Sequence, residues 1–374
     1  MQEHKRKEEQ GKAGWLATAV LSLAALVGSL AGCGSQQASS SGGSSAPQNG
    51  NSSNTASTGS SSASSGYDFY KGKTLQIIVP YSPGGGYDQW ARLIAPYMQK
   101  YLGTSKVEVV NVDGGGGLVG TNQIYAAKPD GLTIGDTNAG GDVFDQIAGA
   151  PGMQFDVSKF NWIGRPDDDP HIIAVHPEGP YKTFEDLEHA KETVKALATG
   201  KGSSDYNSAV ITFNAFHIPH TMVAAFSGSK DEKAAFLRGN GDTCSLSASD
   251  VKQIADKSKV VVLQSTRPFD KLPGVPTVID LAKQAGLSQD KIDGLTAMAN
   301  VMDMGHAFFA PPGVPADRLA ALREAFQKSL QDPAFQAEAT KAGLYLGYAS
   351  GDDLEKMTQD ALSNATLLKP LLKD

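Results

Sequence analysis

Residues 112–123 read VDGGGGLVGTNQ, and glycine at this density has a chemical use. Without a Cβ, backbone approaches a guest closely and adopts positive φ, so successive N–H groups can converge on one anion. Counted from Gly115, the spacing through Gly117 and Gly120 is also G-x-G-x-x-G. Asp136 follows about 20 residues on, where a dinucleotide-binding fold places its ribose acid. A second run, YSPGGGYD, occupies 81–88, and a third small-residue turn, GKGSS, occupies 200–204. Three readings are open on these residues: anion capture by main-chain amides, nucleotide binding, or plain tight turns.

Other reactive side chains lie outside catalytic patterns. Ser82 is not in G-x-S-x-G, so its hydroxyl is either a ligand hydrogen bond or a turn cap. Asp88 and Arg92 are four apart, spaced for an ion pair on one helix face, with ligand contact as the alternative. His217 and His220 flank Ile218-Pro219, and the proline spoils a helical metal pair. Asp167-Asp168-Asp169 has the look of a calcium cluster but reads as a solvated crossover. Tyr81, Tyr87 and Trp162 either wall a cleft or pack in the core, and Lys201 either meets a ligand carboxylate or points to water.

These residues need elements to hold them. LQIIV at 75–79 is a short β-branched strand stopped by Pro80. Trp90, Leu93, Ile94, Tyr97 and Tyr101 share one stripe of a helix over 89–101, with Pro96 set against its second half. A strand over 107–112 leads into the four glycines, a helix over 118–127 follows, and a third strand covers 132–135. Strand, glycine turn and helix thus occur twice in succession, the pattern of a parallel α/β sheet. Both turns fall at the strand-end edge, where open α/β sheets bind ligands. Strands are also expected at 172–175, 197–200 and 260–263. Thr183 with Asp186 predicts a capping box, and Pro315 with Asp317 starts an amphipathic helix bearing Leu319, Leu322, Phe326 and Leu330.

The ends of the chain bear on its address. Lys5, Arg6, Lys7 and Lys12 precede an apolar run over 15–30, shorter than a membrane span of about 20 residues. LAGC at 30–33 resembles the lipobox of a bacterial lipoprotein, making 1–33 a signal peptide and Cys33 the lipidation site. Residues 34–66 are Ser, Gly, Asn and Gln with little apolar content, a flexible tether. The remaining cysteine, Cys244, has no disulfide partner once Cys33 is lipidated. A formal charge of −7 argues against a nucleic-acid partner, though not against an anionic ligand held by backbone amides.

The segments IIVPYSPGGGYDQWARLIAPYM, VVNVDGGGGLVGTNQIYAAKPDGLTIG, LPGVPTVIDL and FFAPPGVPADRLAALREAFQKSL resemble, in this order, the TctC/Bug family of extracytoplasmic receptors of tripartite tricarboxylate transporters. The resemblance implies an α/β, two-lobed periplasmic-binding-protein fold, type II-like, closing as a Venus flytrap. Residues 67–165 with 275–374 would form lobe 1 and residues 166–274 lobe 2. The implied ligand is a small carboxylate, di- or tricarboxylate or a related organic acid, held largely by backbone amides. By position, the ligand-binding set is Tyr81, Ser82, Gly84, Gly85, Gly86, Asp88, Gly115, Gly116, Gly117, Asn138, Gly202, Ser203 and Ser204. No metal, cofactor or catalytic residue is implied. The expected partners are integral-membrane permease subunits, the chain itself being a lipid-anchored monomer outside the cytoplasm. Service as the ligand sensor of a two-component kinase is the alternative. Against a nucleotide site stand the glycine-rich turn preceding the fingerprint and the expected export of the chain.

Overall fold

The computed structural model describes residues 61–373. The stretch read as a signal peptide and Cys33 lie outside these residues. The end of the stretch read as a tether falls within a helix, Ser61–Tyr70. Aromatic burial anchors that helix. Tyr70 is fully buried and donates its hydroxyl to the Gly131 carbonyl at 3.0 Å, while the Arg318 guanidinium lies 3.6 Å from the Phe69 ring centre.

Following the chain, β1 (Thr74–Val79), β2 (Lys106–Asn111), β3 (Thr133–Asn138) and β4 (Asn161–Asp167) begin one sheet. The chain then crosses to a second sheet made of β5 (His171–Val175), β6 (Val194–Leu197), β7 (His220–Val223), β8 (Thr243–Ser247) and β9 (Lys259–Leu263). It returns to the first for β10 (His306–Ala310) and β11 (Leu346–Ser350). The first sheet runs β11-β4-β10-β3-β1-β2 and the second β7-β6-β8-β5-β9. Five strands of each follow one plan. Three are parallel with the earliest at the centre, and a strand from the crossing segment enters antiparallel between the third and the last. The result is a two-lobed α/β fold.

Local chemistry explains the elements. Ile77, Ile78 and Val79 are all buried because helices or loops cover both faces of β1, which gives an apolar run rather than alternation. Helix Gly86–Leu102 buries Trp90, Ile94, Tyr97 and Met98 and passes through Pro96 to end at Gly103, φ 74°. Packing overrides the lost hydrogen bond there, since Ala95, Tyr97 and Met98 on either side of the proline are all buried and Tyr97 meets the edge of Phe335 at 5.3 Å. The expected capping box is present at Thr183 and Asp186. Helix Ala316–Gln331 turns Leu322, Phe326 and Leu330 inward, and Phe326 packs on Phe308 of β10. Val143, Phe213, Met298 and Val301 belong to one apolar cluster, so the core is continuous between the two sheets.

Candidate ligand cleft

Four helices begin at the same place. Gly86–Leu102 and Ala139–Ala148 follow β1 and β3 of the first sheet, and Ser204–Phe216 and Ser229–Leu237 follow β6 and β7 of the second. Residues from all four starts, Gly85, Gly86, Asn138, Ser204, Gly228 and Ser229, line one cleft with a cavity volume of about 60 Å³. The first N–H groups of a helix have no intrahelical acceptor, and each helix start carries about half a positive charge. The cleft is therefore rich in oriented donors. Its apolar surface comes from Tyr81, Tyr87, Trp90 and Leu344 of one cluster and Leu246 of another.

A hydrogen-bonded strut sets the first wall. The Tyr81 hydroxyl donates to the Gly116 carbonyl at 2.9 Å and accepts from Asn138 Nδ2 at 3.1 Å. Asn138 Oδ1 in turn caps its helix by accepting from the Gly141 N–H at 2.9 Å. Tyr81 stacks on Tyr87 at 4.6 Å between ring centres, and Tyr87 leans on His306 at 4.2 Å. His306 is gripped by Asp167, whose Oδ2 lies 2.6 Å from Nδ1 and whose Oδ1 accepts the His306 N–H at 3.1 Å. Burial opposes charge on that ring, but the charge and hydrogen bond of Asp167, with Asp136 and Asp169 beyond, raise its pKa to about 9. His306 is thus an imidazolium at neutral pH. Its Nε2 faces Gly86, where an added Cβ would sit 3.0 Å away.

Acids cluster around this cation. Burial pushes Asp136 well above the ordinary carboxylate range, and neither of its oxygens has a hydrogen-bond partner. Burial and the charge of Asp167 raise Asp169 to about 7, although it accepts from the Ser249 N–H and hydroxyl. The Asp167–Asp169 run is therefore not the solvated crossover its polarity suggests. Asp167 and Asp169 are buried, and Asp168 is paired with Arg267 at 2.6 Å. Every member has a specific partner, which removes the need for solvent. No group of three or more metal-ligating acids, histidines or cysteines occurs among the described residues.

Of the residues singled out from sequence, Tyr81, Gly85, Gly86, Tyr87, Asn138 and Ser204 line the cleft. The others stand behind it. Ser82 donates its N–H to the Ser227 carbonyl, and Asp88 accepts from the Gly84 N–H while pairing with Arg92 at 2.9 Å. Ser203 caps its helix and bonds the Gly200 carbonyl, and the Gly202 carbonyl accepts from Asn207. Gly115, Gly116 and Gly117 all have positive φ, but their turn presses against the 200–203 turn of the other sheet instead of facing the cavity. A Cβ on Gly116 would lie 2.4 Å from the Lys201 carbonyl oxygen, and one on Gly200 would lie 2.9 Å from the Gly116 Cα. Gly120 rests on Pro80, and Asp136 lies within β3. Lys201 is exposed and does not line the cleft. Trp162 packs on Phe160 and Phe309, His217 ends a helix, and His220 bonds the Ile218 carbonyl, all away from the cavity.

Sequence reasoning missed His306, His171, Thr199, Asp205, Ser229, Glu232, Ser247 and Asp250 on the cleft wall. One signal was readable: SGS at 227–229, just before a run of helix formers, is a fourth small-residue turn.

The model of the "Tripartite tricarboxylate transporter family receptor" matches residues 90–371. The chain belongs to this receptor family. It is 27% identical over 273 residues to a UPF0065 protein of the TAR-I ttuE-ttuC' intergenic region of Agrobacterium vitis, covering 71% of this chain and 74% of that one. In structure it is similar to the periplasmic binding protein BugD, with a TM-score of 0.67 and 24% identity across 81% of this chain and 98% of that one. It is likewise similar to MatC from Rhodopseudomonas palustris, solved with bound malate, with a TM-score of 0.66 and 22% identity across 80% and 99% of the two chains. In this member of the tricarboxylate-transporter receptor family the cleft is lined by the buried acids Asp205, Glu232 and Asp250 and by His171 and His306.

Proposed function

We propose that this family receptor works outside the cytoplasm, tethered by a lipid on Cys33, and captures a small organic acid between its lobes for delivery to integral-membrane permease subunits. The lobes are residues 67–165 with 275–374, and residues 166–274. The observation that carries the reading is the convergence of four helix starts on one cleft, with the Asp167-held His306 ring turning Nε2 toward Gly86. A ligand carboxylate at that wall accepts from the free N–H groups of the Gly86 helix and from His306 Nε2. Charge-assisted hydrogen bonds of this kind contribute about 1.5–3 kcal/mol each, so a few offset the desolvation of one carboxylate. The tyrosine stack excludes water from the same wall, and closure of the lobes converts occupancy into a shape that a permease can read.

The test is calorimetry and thermal unfolding of the chain from residue 34 onward with mono-, di- and tricarboxylates. A true ligand at 100 times its dissociation constant adds about 2.7 kcal/mol of stability. A panel in which no carboxylate binds or raises the melting temperature refutes the proposal. The anchor is tested separately: Cys33→Ser should release the protein from the membrane fraction.

A further inference from the structure

Among the described residues asparagine precedes glycine only at Asn240–Gly241. Asn240 is exposed, and its side-chain amide makes no hydrogen bond among those residues. It follows helix Ser229–Leu237, which ends in a Schellman motif. Gly239, φ 75°, donates its N–H to the Phe236 carbonyl at 2.8 Å, and Asn240 donates to the Ala235 carbonyl at 3.1 Å. On the far side, Asp242 donates its N–H to the Lys195 carbonyl and accepts the Lys195 N–H on Oδ2, both at 2.8 Å. Gly241 is the link between these two pinned residues, and its own N–H donates to nothing among the described residues.

The turn itself does not require this glycine, because the φ of Gly241 is not positive. The neighbouring strand does. An added Cβ would meet Leu197 Cγ at 2.5 Å, and Leu197, in β6, is fully buried. Packing thus demands a residue without a side chain, and the same lack leaves the Gly241 nitrogen unshielded from the asparagine before it. Water reaches the dipeptide as well. Gly239 and Gly241 border an open polar cavity of about 600 Å³, together with His176, Glu178, Asp242 and Asp256.

We propose that Asn240–Gly241 is a self-modification site, where asparagine converts to aspartate and isoaspartate as the folded protein ages. The Gly241 nitrogen gives its proton to water and bonds to Asn240 Cγ. The bond from Cγ to the side-chain nitrogen breaks, and ammonia leaves. Water then opens the cyclic imide. Cleavage between the ring nitrogen and Cγ gives aspartate, and cleavage between the ring nitrogen and the main-chain carbonyl gives isoaspartate. One water is consumed for each ammonia released beyond the proton carrier, and nothing is oxidised or reduced. Isoaspartate routes the chain through the former side chain, which lengthens by one methylene a link fixed at both ends. The strain falls on Asp242 and so on β8, which starts at the next residue, pairs with β6 at Ala196 and Thr243, and carries Ser245, Leu246 and Ser247 to the cleft.

The experiment incubates the folded chain from residue 34 onward at mildly alkaline pH. Peptide mapping in acidic digestion buffer, with mass spectrometry that resolves isoaspartate, follows two sites. Asn49–Gly50, outside the described residues, is the same dipeptide and serves as the internal reference. Asn240 is expected to convert within about tenfold of the Asn49 rate, the slowing that about 1.4 kcal/mol of local opening imposes. Slower conversion, or none, overturns the proposal. The isoaspartyl fraction, separated by chromatography, is expected to unfold at lower urea than the Asn240→Asp variant, which carries the same charge without the extra methylene. Equal midpoints overturn the strain on β8.

Discussion

The contact between the 114–117 turn and the 200–203 turn can be tested by one matched pair of substitutions. Gly116 and Gly72 have nearly the same φ, 71° and 69°, but a Cβ on Gly72 meets nothing within 4 Å, while one on Gly116 meets the Lys201 carbonyl at 2.4 Å. Alanine in the left-handed region costs about 1–2 kcal/mol at either site. The entropy that alanine removes from the unfolded chain is also shared and cancels in the comparison. Gly116→Ala alone adds a clash with backbone, which cannot rotate away as a side-chain tip can. Overpacking of this kind costs about 1–3 kcal/mol. The protein can bear that cost as lost stability or relieve it by parting the two turns. Urea unfolding at 25 °C should therefore place Gly116→Ala at least about 1 kcal/mol below Gly72→Ala, or carboxylate affinity should fall about 5- to 150-fold by the same energy. Were the two variants alike in both measurements, the turns would not be pressed together in solution and the close approach of Gly116 to Lys201 would be wrong.

Tyr81→Phe removes a hydroxyl that serves Gly116 and Asn138 at once, and should cost about 1–3 kcal/mol while weakening ligand binding, read by urea unfolding and calorimetry. His306 supplies a pH dependence with a definite sign. Its folded pKa of about 9 exceeds its ordinary value of 6.5, so its stabilisation is complete below about pH 6.5 and is lost as pH rises through 9. The amount is on the order of 3 kcal/mol, seen as the part of the alkaline fall in stability that is absent from His306→Gln. Cys244 is buried and its thiol is pushed up by burial, so a thiol reagent should label it only as the chain unfolds, with a rate that tracks denaturant.

Much of the frame was legible because its signals are local. The β-branched run before Pro80, the Thr183–Asp186 capping box and the stripe of helix Ala316–Gln331 each depend on neighbours within a few residues. The cleft was legible only in part. Gly85, Gly86 and Asn138 sit at strand ends followed by helices, which a pattern can find. Gly116 carries the same signature for another reason, since a missing Cβ admits a neighbouring backbone as readily as a guest. His306 and Glu232 were invisible because nothing in HAFFA or SKDE tells that β10 inserts between β3 and β4, or that the helix after β7 starts opposite the one after β1. Asp167 and Asp169 read as solvated for the same cause, as their partners lie 139 and 80 residues away in the chain.

Three consecutive acids at the crossing between the sheets are each tied to a different anchor: Asp167 to β10, Asp168 to Arg267, and Asp169 to Ser249. A strap pinned at every link cannot swing freely. Any pivoting of one half on the other must twist this short rod of backbone or unfasten it at one of three known points. Two of the three anchors, His306 and Ser249, also line the cleft, so a molecule bound there would bear on the fastenings of the crossing as well.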